Sequence, residues 1–198
     1  MLAIFLNPNL KVLSYNLVVI KSYTSTGIVL SSIKYSEADR ILKIYSKNYG
    51  KLSLIAKGVR KPISKKRGSL EVFNAVNFHA TWSATIGLIT EVEMINSFEG
   101  IRKDLNKMSL AYFYCEVIEK LTREGSNNYK LYNLLFNAFI QLEESKGYKI
   151  KKDKFIYDVL VELGFWPLGQ KIIDPDSALE NVIERKLSSV RVGKKVLQ

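Results

Sequence analysis

The chain has 198 residues, enough for one ordinary domain or two small ones, and its 47% apolar and 25% charged content is that of a folded protein. Lys and Arg number 30 against 19 Asp and Glu, a formal net charge of +11. The default partners of such an excess are polyanions, nucleic acid first and an anionic membrane surface second. A single cysteine, Cys115, excludes an internal disulfide and a multi-cysteine metal site, and it fits a reducing, cytoplasmic compartment.

The first 21 residues are apolar but carry no signal-peptide pattern. No basic side chain precedes Leu6, Asn7-Pro8-Asn9 interrupts the run, and no small-residue cleavage site follows. The interruption also argues against a bilayer span. An extra strand or a start codon assigned too early are the readings of this extension, with a membrane-surface role alongside the basic charge as the alternative.

From residue 22 to about 100 the pattern is of short β-type runs split by turn residues. The expected strands are 26–33, 41–46, 51–58, 70–81 and 86–98, with turns at 35–40 and 47–50. Five strands at roughly ten-residue spacing point to a small barrel or sandwich. Between the third and fourth lies 57-KGVRKPISKKRGSL-70, in which Lys57, Arg60, Lys61, Lys65, Lys66 and Arg67 are interrupted by no acid. Gly58, Pro62 and Gly68 mark it as an exposed loop.

From Ile101 the period changes. Leu105, Met108, Tyr112, Cys115 and Ile118 recur every three or four residues and predict one helical face, with Gly125 as the stop. Leu131, Leu134, Leu135, Ala138, Phe139 and Leu142 predict a second helix that Gly147 ends. A third is expected near 152–163, stopped by Gly164 and Pro167, and a fourth capped by Asp176 or Ser177 with Val182, Ile183 and Leu187 inward. The fold class is therefore α+β, with an extension over 1–21, a β module over 22–100 and an all-α module over 101–198.

Catalytic signals are weak. There is neither a G-x-x-x-x-G-K-[ST] phosphate loop nor a G-x-G-x-x-G turn. His79 has no partner His or Cys for a metal. Glu91 and Glu93 share one face of a strand, where a solvated pair is the ordinary meaning. The expectation is no enzyme, no catalytic residue, no metal and no cofactor. The basic loop is distinctive instead. Barrels of the oligonucleotide-binding (OB) type present a strand face and loops to single strands, with cations along the phosphates and aromatics under the bases. Arg40, Lys43 and Lys51 are candidates to extend the cationic track, and Tyr35, Tyr45, Tyr49 and Trp82 are candidates for stacking or for packing. Lys149, Lys151, Lys152 and Lys154 form either a second nucleic-acid surface or a solvated helix start.

The pieces "TGIVL", "YSEADRIL", "YGKLSLIAKGVRKP" and "GSLEVFN", in that order and spacing, resemble the N-terminal domain of the bacterial DNA repair protein RecO family. "ITEVEMINSFEGIRKDL" (89–105), residues 111–139 and "FIYDVLVELGFWP" (155–167) resemble its junction and helical domain. The resemblance implies a five-stranded OB barrel followed by a helical domain, and a non-enzymatic recombination mediator. Such a mediator binds single- and double-stranded DNA and anneals complementary strands. With RecR it helps load the RecA recombinase onto DNA coated by single-strand-binding protein (SSB), whose acidic C-terminal tail it also binds. By position the resemblance assigns DNA contact to Arg40, Lys51, Lys57, Arg60, Lys61, Lys65, Lys66 and Arg67. It implies a cytoplasmic, nucleoid-associated protein with no membrane role. The alternative on the same barrel is an RNA- or ribosome-associated module. Many family members carry a four-cysteine zinc insert after the segment matching "LGFWP"; here 168–179 has no cysteine, so no zinc is expected.

Overall fold

The computed structural model describes residues 22–82, 86–144 and 147–183. Five strands, β1 (Ser22–Tyr35), β2 (Asp39–Ser46), β3 (Gly50–Ala56), β4 (Ala75–Thr81) and β5 (Gly87–Asn96), close into a barrel in the order β1-β2-β3-β5-β4. All neighbours are antiparallel except β3 and β5, which close the barrel in parallel. Inward residues such as Val29, Leu42, Ile44, Leu52, Leu54, Val76, Phe78 and Ile89 fill the interior.

The unbroken apolar run of "TGIVL" follows from burial on both faces of β1. Val29 points into the barrel, whereas Ile28 and Leu30 join a second core that the helices share. A register shift between Val29 and Ser31 in the pairing with β2 accommodates the change. The helices are α1 (Glu99–Arg102), α2 (Leu105–Leu121), α3 (Tyr129–Glu144), α4 (Tyr148–Glu162) and α5 (Pro175–Val182). Ile28, Leu30, Tyr45, Phe73 and Phe98 from the barrel side pack with Tyr114, Ile118, Leu135, Phe139 and Phe155 of the helices, so one core crosses the strand-to-helix switch. Each fully buried leucine or phenylalanine in it is worth about 1.5–3 kcal/mol of transfer free energy.

Several expected boundaries shift for physical reasons. Residues 70–74 are not strand. Leu70 tucks into the barrel interior, and Phe73 sits at φ 59 before β4 begins at Ala75. Helix α2 is capped by Asp104, whose carboxylate accepts from the Asn106 and Lys107 amides at 2.8 and 3.2 Å. Its predicted stripe is partly wrong, since Leu105 and Tyr112 are exposed while Ala111, Phe113, Tyr114 and Val117 are buried. A central helix covered on most sides has no single apolar face to read. The cap of α5 is Asp174 rather than Asp176 or Ser177. Its Oδ1 accepts from the Ser177 amide at 3.2 Å, and Pro175 occupies the first turn. Leu187 and the 1–21 extension lie outside the described residues.

Candidate nucleic-acid interface

The basic segment is a built structure. Val59 and Leu70 anchor its two ends inside the barrel, both fully buried. Successive turns hold what lies between, with Lys61 N donating to Gly58 O, Ser64 N to Lys61 O, Arg67 N to Ser64 O and Leu70 N to Lys66 O. The β1–β2 hairpin braces it from outside. The Asp39 carboxylate accepts from the Gly58 amide at 2.8 Å, and Arg60 donates to Ala38 O through its backbone and to Ser36 O through its guanidinium. Gly58 has φ +66, a conformation that favours glycine. At the exit, Asn74 Nδ2 donates to Gly68 O and Ser69 O at 2.9 and 3.0 Å. Arg102 then locks the exit to the helices. Its guanidinium donates to Val72 O and Asn74 Oδ1 and lies 4.1 Å from the Phe73 ring centroid.

This scaffold sorts the predicted cations. Lys57, Lys61, Lys65 and Arg67 are exposed and form no ion pair among the described residues. Arg60 is half-buried and partly spent on the hairpin. Lys66 is also half-buried, with its ammonium 3.3 and 3.4 Å from the Ile89 and Thr90 carbonyls of β5. Arg40 forms an ion pair with Glu71 at 3.1 Å, which holds the loop exit rather than an exposed surface. Lys34, which sequence reasoning passed over, pairs with Arg40 across the hairpin and is exposed beside the loop. The signal for it lay in the hairpin pairing.

Lys51 does not belong to the accessible set. It is buried, and its ammonium donates to Glu119 O at 2.7 Å and to Thr122 O, at the C-terminal end of α2. Burial of the ammonium, with Lys43 adding repulsion, lowers its pKa against the opposing pull of Glu119 and Glu124. Lys51 therefore fastens helix to barrel. Lys43 is likewise engaged, with Glu119 at 2.8 Å. The helical lysines divide the same way. Lys151 donates to Gln141 O at 2.6 Å and Lys152 pairs with Asp176 at 2.6 Å, whereas Lys154, paired with Asp158 at 2.7 Å within α4, and Lys149 are exposed. Two of the four, Lys151 and Lys152, tie α4 to α3 and α5.

Of the aromatic candidates, Tyr45 is core. It is fully buried, its hydroxyl donates to Asn128 O at 3.4 Å, and burial pushes its pKa up to about 12. Tyr35, at the hairpin, and Trp82 are exposed, and Tyr49 is half-buried. His79 Nδ1 lies 2.7 Å from Thr90 Oγ1, and Glu91 and Glu93 are exposed on β5. Among the described residues no group of three or more His, Cys, Asp or Glu is placed to hold a metal ion. The segment without cysteines is held by protein contacts, with Trp166 Nε1 donating to Gln170 O and the Gly169 amide to the Tyr157 hydroxyl.

Residues 20–98 match the family described as Recombination protein O N terminal, and residues 102–171 match Recombination protein O C terminal. The chain belongs to the RecO family. A DNA repair protein RecO of Rubrobacter xylanophilus is 38% identical over 146 residues, which is 73% of this chain and 58% of the relative. One from Listeria monocytogenes is 29% identical over 145 residues, 73% of this chain and 57% of its own length. One from Pelotomaculum thermopropionicum is 29% identical over 159 residues, or 80% and 62%. The match thus spans less than two thirds of the length of these relatives. The closed barrel followed by helices agrees with an OB-fold N-terminal domain joined to a helical one. The segments that carry the family resemblance are those that build the loop: Asp39 and Arg40 in the hairpin, Gly58 and Arg60 at the entry, Glu71 and Asn74 at the exit.

Proposed function

We propose that the protein is a non-enzymatic recombination mediator of DNA repair. It binds single- and double-stranded DNA through the 57–67 loop, anneals complementary strands, and acts with RecR to load RecA onto DNA coated by SSB, whose C-terminal tail it contacts. The observation that carries this reading is the set of four exposed cations, Lys57, Lys61, Lys65 and Arg67, that form no ion pair among the described residues and stand on a loop braced at both ends. Annealing requires two anionic strands close together. Cations displace condensed counterions and lower the repulsion, and lysine contacts impose little geometry, so strands slide into register. Family membership supports a repair role. Among the described residues no helix is long and apolar enough to cross a membrane; the site of action proposed is the cytoplasm, on the nucleoid.

The test is strand annealing with complementary oligonucleotides, naked and coated with SSB, using a variant with Lys57, Lys61, Lys65 and Arg67 all changed to Glu. The expected result is loss of annealing with an unchanged unfolding temperature. Full annealing by the folded variant removes the loop from the mechanism. A preference for structured RNA over single-stranded DNA at matched salt replaces the DNA reading with an RNA-binding one.

A further inference from the structure

Where β1 begins, the β2–β3 turn closes and β4 ends, three rings converge. Tyr23 begins β1, Tyr49 closes the β2–β3 turn, and Trp82 follows β4. The Trp82 indole stacks on Tyr23, with centroids 4.3 Å apart and planes at 29°. Tyr49 meets both edge-on, 4.7 Å from Tyr23 and 5.6 Å from Trp82. Tyr23 is in turn edge-on to Phe78 of the barrel interior at 6.2 Å, so the group is rooted in the core. The turn beneath it is fixed: Ser46 Oγ accepts from the Asn48 and Tyr49 amides and lies 2.8 Å from Ser25 Oγ, and Lys47 N donates to Thr26 O. Yet Trp82 remains 47% exposed. A ring that served only to plug the barrel would be covered, since a half-wet indole forgoes much of its burial free energy.

The rings offer a flat apolar surface, and the charge that would hold an anionic strand comes from the loop. Lys47 of the same turn lies 5.7 Å from the Tyr129 ring centroid, and Thr24 lines a neighbouring cleft with Glu91 and Glu93. The basic loop braces the opposite end of β2, at Asp39. Lys66 carries the loop toward the rings, since its ammonium rests on the Ile89 and Thr90 carbonyls of β5, where Ile89 pairs with Ala80 and Leu88 with Thr81 just before Trp82, so one strand of the ~4–16 nucleotides typical of an OB barrel can touch both.

We infer that the Tyr23–Tyr49–Trp82 cluster is a stacking site for an unpaired base of a strand whose backbone the 57–67 loop holds. The inference rests on the proposed DNA-binding function and deepens it. The loop reads backbone charge, which single strand and duplex share, whereas the aromatic site takes a base only when it is unpaired. The same chain would then distinguish strands still to be annealed from duplex product.

The test uses the full chain with Trp166→Phe, leaving Trp82 as the only indole. Its emission is followed while a labelled oligothymidylate of about twenty nucleotides, or a duplex of equal length, is added and binding is read independently by anisotropy. The expected result is quenching of Trp82 by the single strand and none by the duplex. Trp82→Ala weakens single-strand binding about 5- to 150-fold with duplex affinity unchanged, and Trp82→Phe, which keeps a ring, restores most of the loss. Saturating single-strand binding with unaltered Trp82 emission overturns the inference, as does equal weakening of single-strand and duplex binding by Trp82→Ala, while both leave the basic-loop reading standing. Binding of neither nucleic acid at low salt overturns that reading and the inference with it.

Discussion

Replacing Lys51 by Met separates a fastening lysine from a DNA-contacting one. The substitution keeps the length of the aliphatic stem and removes the ammonium that donates to Glu119 O and Thr122 O at the end of α2. Hydrogen bonds from a charged donor are worth about 1.5–3 kcal/mol each, and a cation at a helix C-terminus adds about 0.3–1 kcal/mol. Burial works the other way, since desolvation penalises the ammonium where it sits and lowers its pKa. The net loss is about 2–3 kcal/mol. For a chain of this length, that corresponds to a fall in Tm of about 5–10 °C. Thermal unfolding by circular dichroism measures it, beside Lys61→Met as the exposed control, for which the change stays within about 0.5 kcal/mol. Oligonucleotide affinity shows the opposite order, lowered by Lys61→Met and unchanged by Lys51→Met under conditions where both are folded. A Lys51→Met protein with unaltered Tm and weakened DNA binding would refute the assignment and return Lys51 to the nucleic-acid surface.

The joint next to Lys51 yields a second expectation. Gly50 has φ +66, and a β-carbon there would lie 2.0 Å from Ser126 O, so Gly50→Ala combines backbone strain with a main-chain clash. A loss of at least about 2 kcal/mol is expected in denaturant unfolding; a stability equal to wild type contradicts the close approach of the β2–β3 turn to the segment after α2. A third expectation concerns alkaline pH. Burial pushes the phenols of Tyr23, Tyr45 and Tyr132 up to about 12, with the Tyr49 charge adding at Tyr23. A raised phenol pKa means that the unfolded chain loses its proton first. The stabilisation is therefore complete below pH ~10 and lost as pH rises toward ~12, by up to about 2–3 kcal/mol for each tyrosine. Absorbance near 295 nm should show these phenolates appearing only with the unfolding transition; their titration at pH ~10 in a folded protein contradicts their burial.

The barrel was legible because its strands alternate and its turns are marked by Gly, Asn and Asp, and the loop because six cations stand there without an acid. The fate of individual cations was not legible. Lys51 alternates with Leu52 and Leu54, so its outward direction could be read, but outward at that point means toward the end of α2, a contact between residues about seventy apart. Arg40 looks like another surface cation until Glu71 arrives from the far side of the loop. Tyr45 reads as a strand aromatic, yet the helices cover it. The stripe of α2 failed for the same reason, because partners on several sides leave no polar face to set the phase. The aromatic site draws on three separated strand ends, and no local spacing announces their convergence.

What unites the loop, the sorted lysines and the family membership is the claim that exposed cations on a braced loop hold polynucleotide backbones by charge. The most direct measurement is the salt dependence of single-strand affinity for wild type and for the variant with Lys57, Lys61, Lys65 and Arg67 changed to Gln. Each neutralised phosphate contributes about 0.7 to the slope of log K against log salt, so the variant is expected to lose about 2–3 units of slope with an unchanged fold. An identical slope in the two proteins would contradict the account.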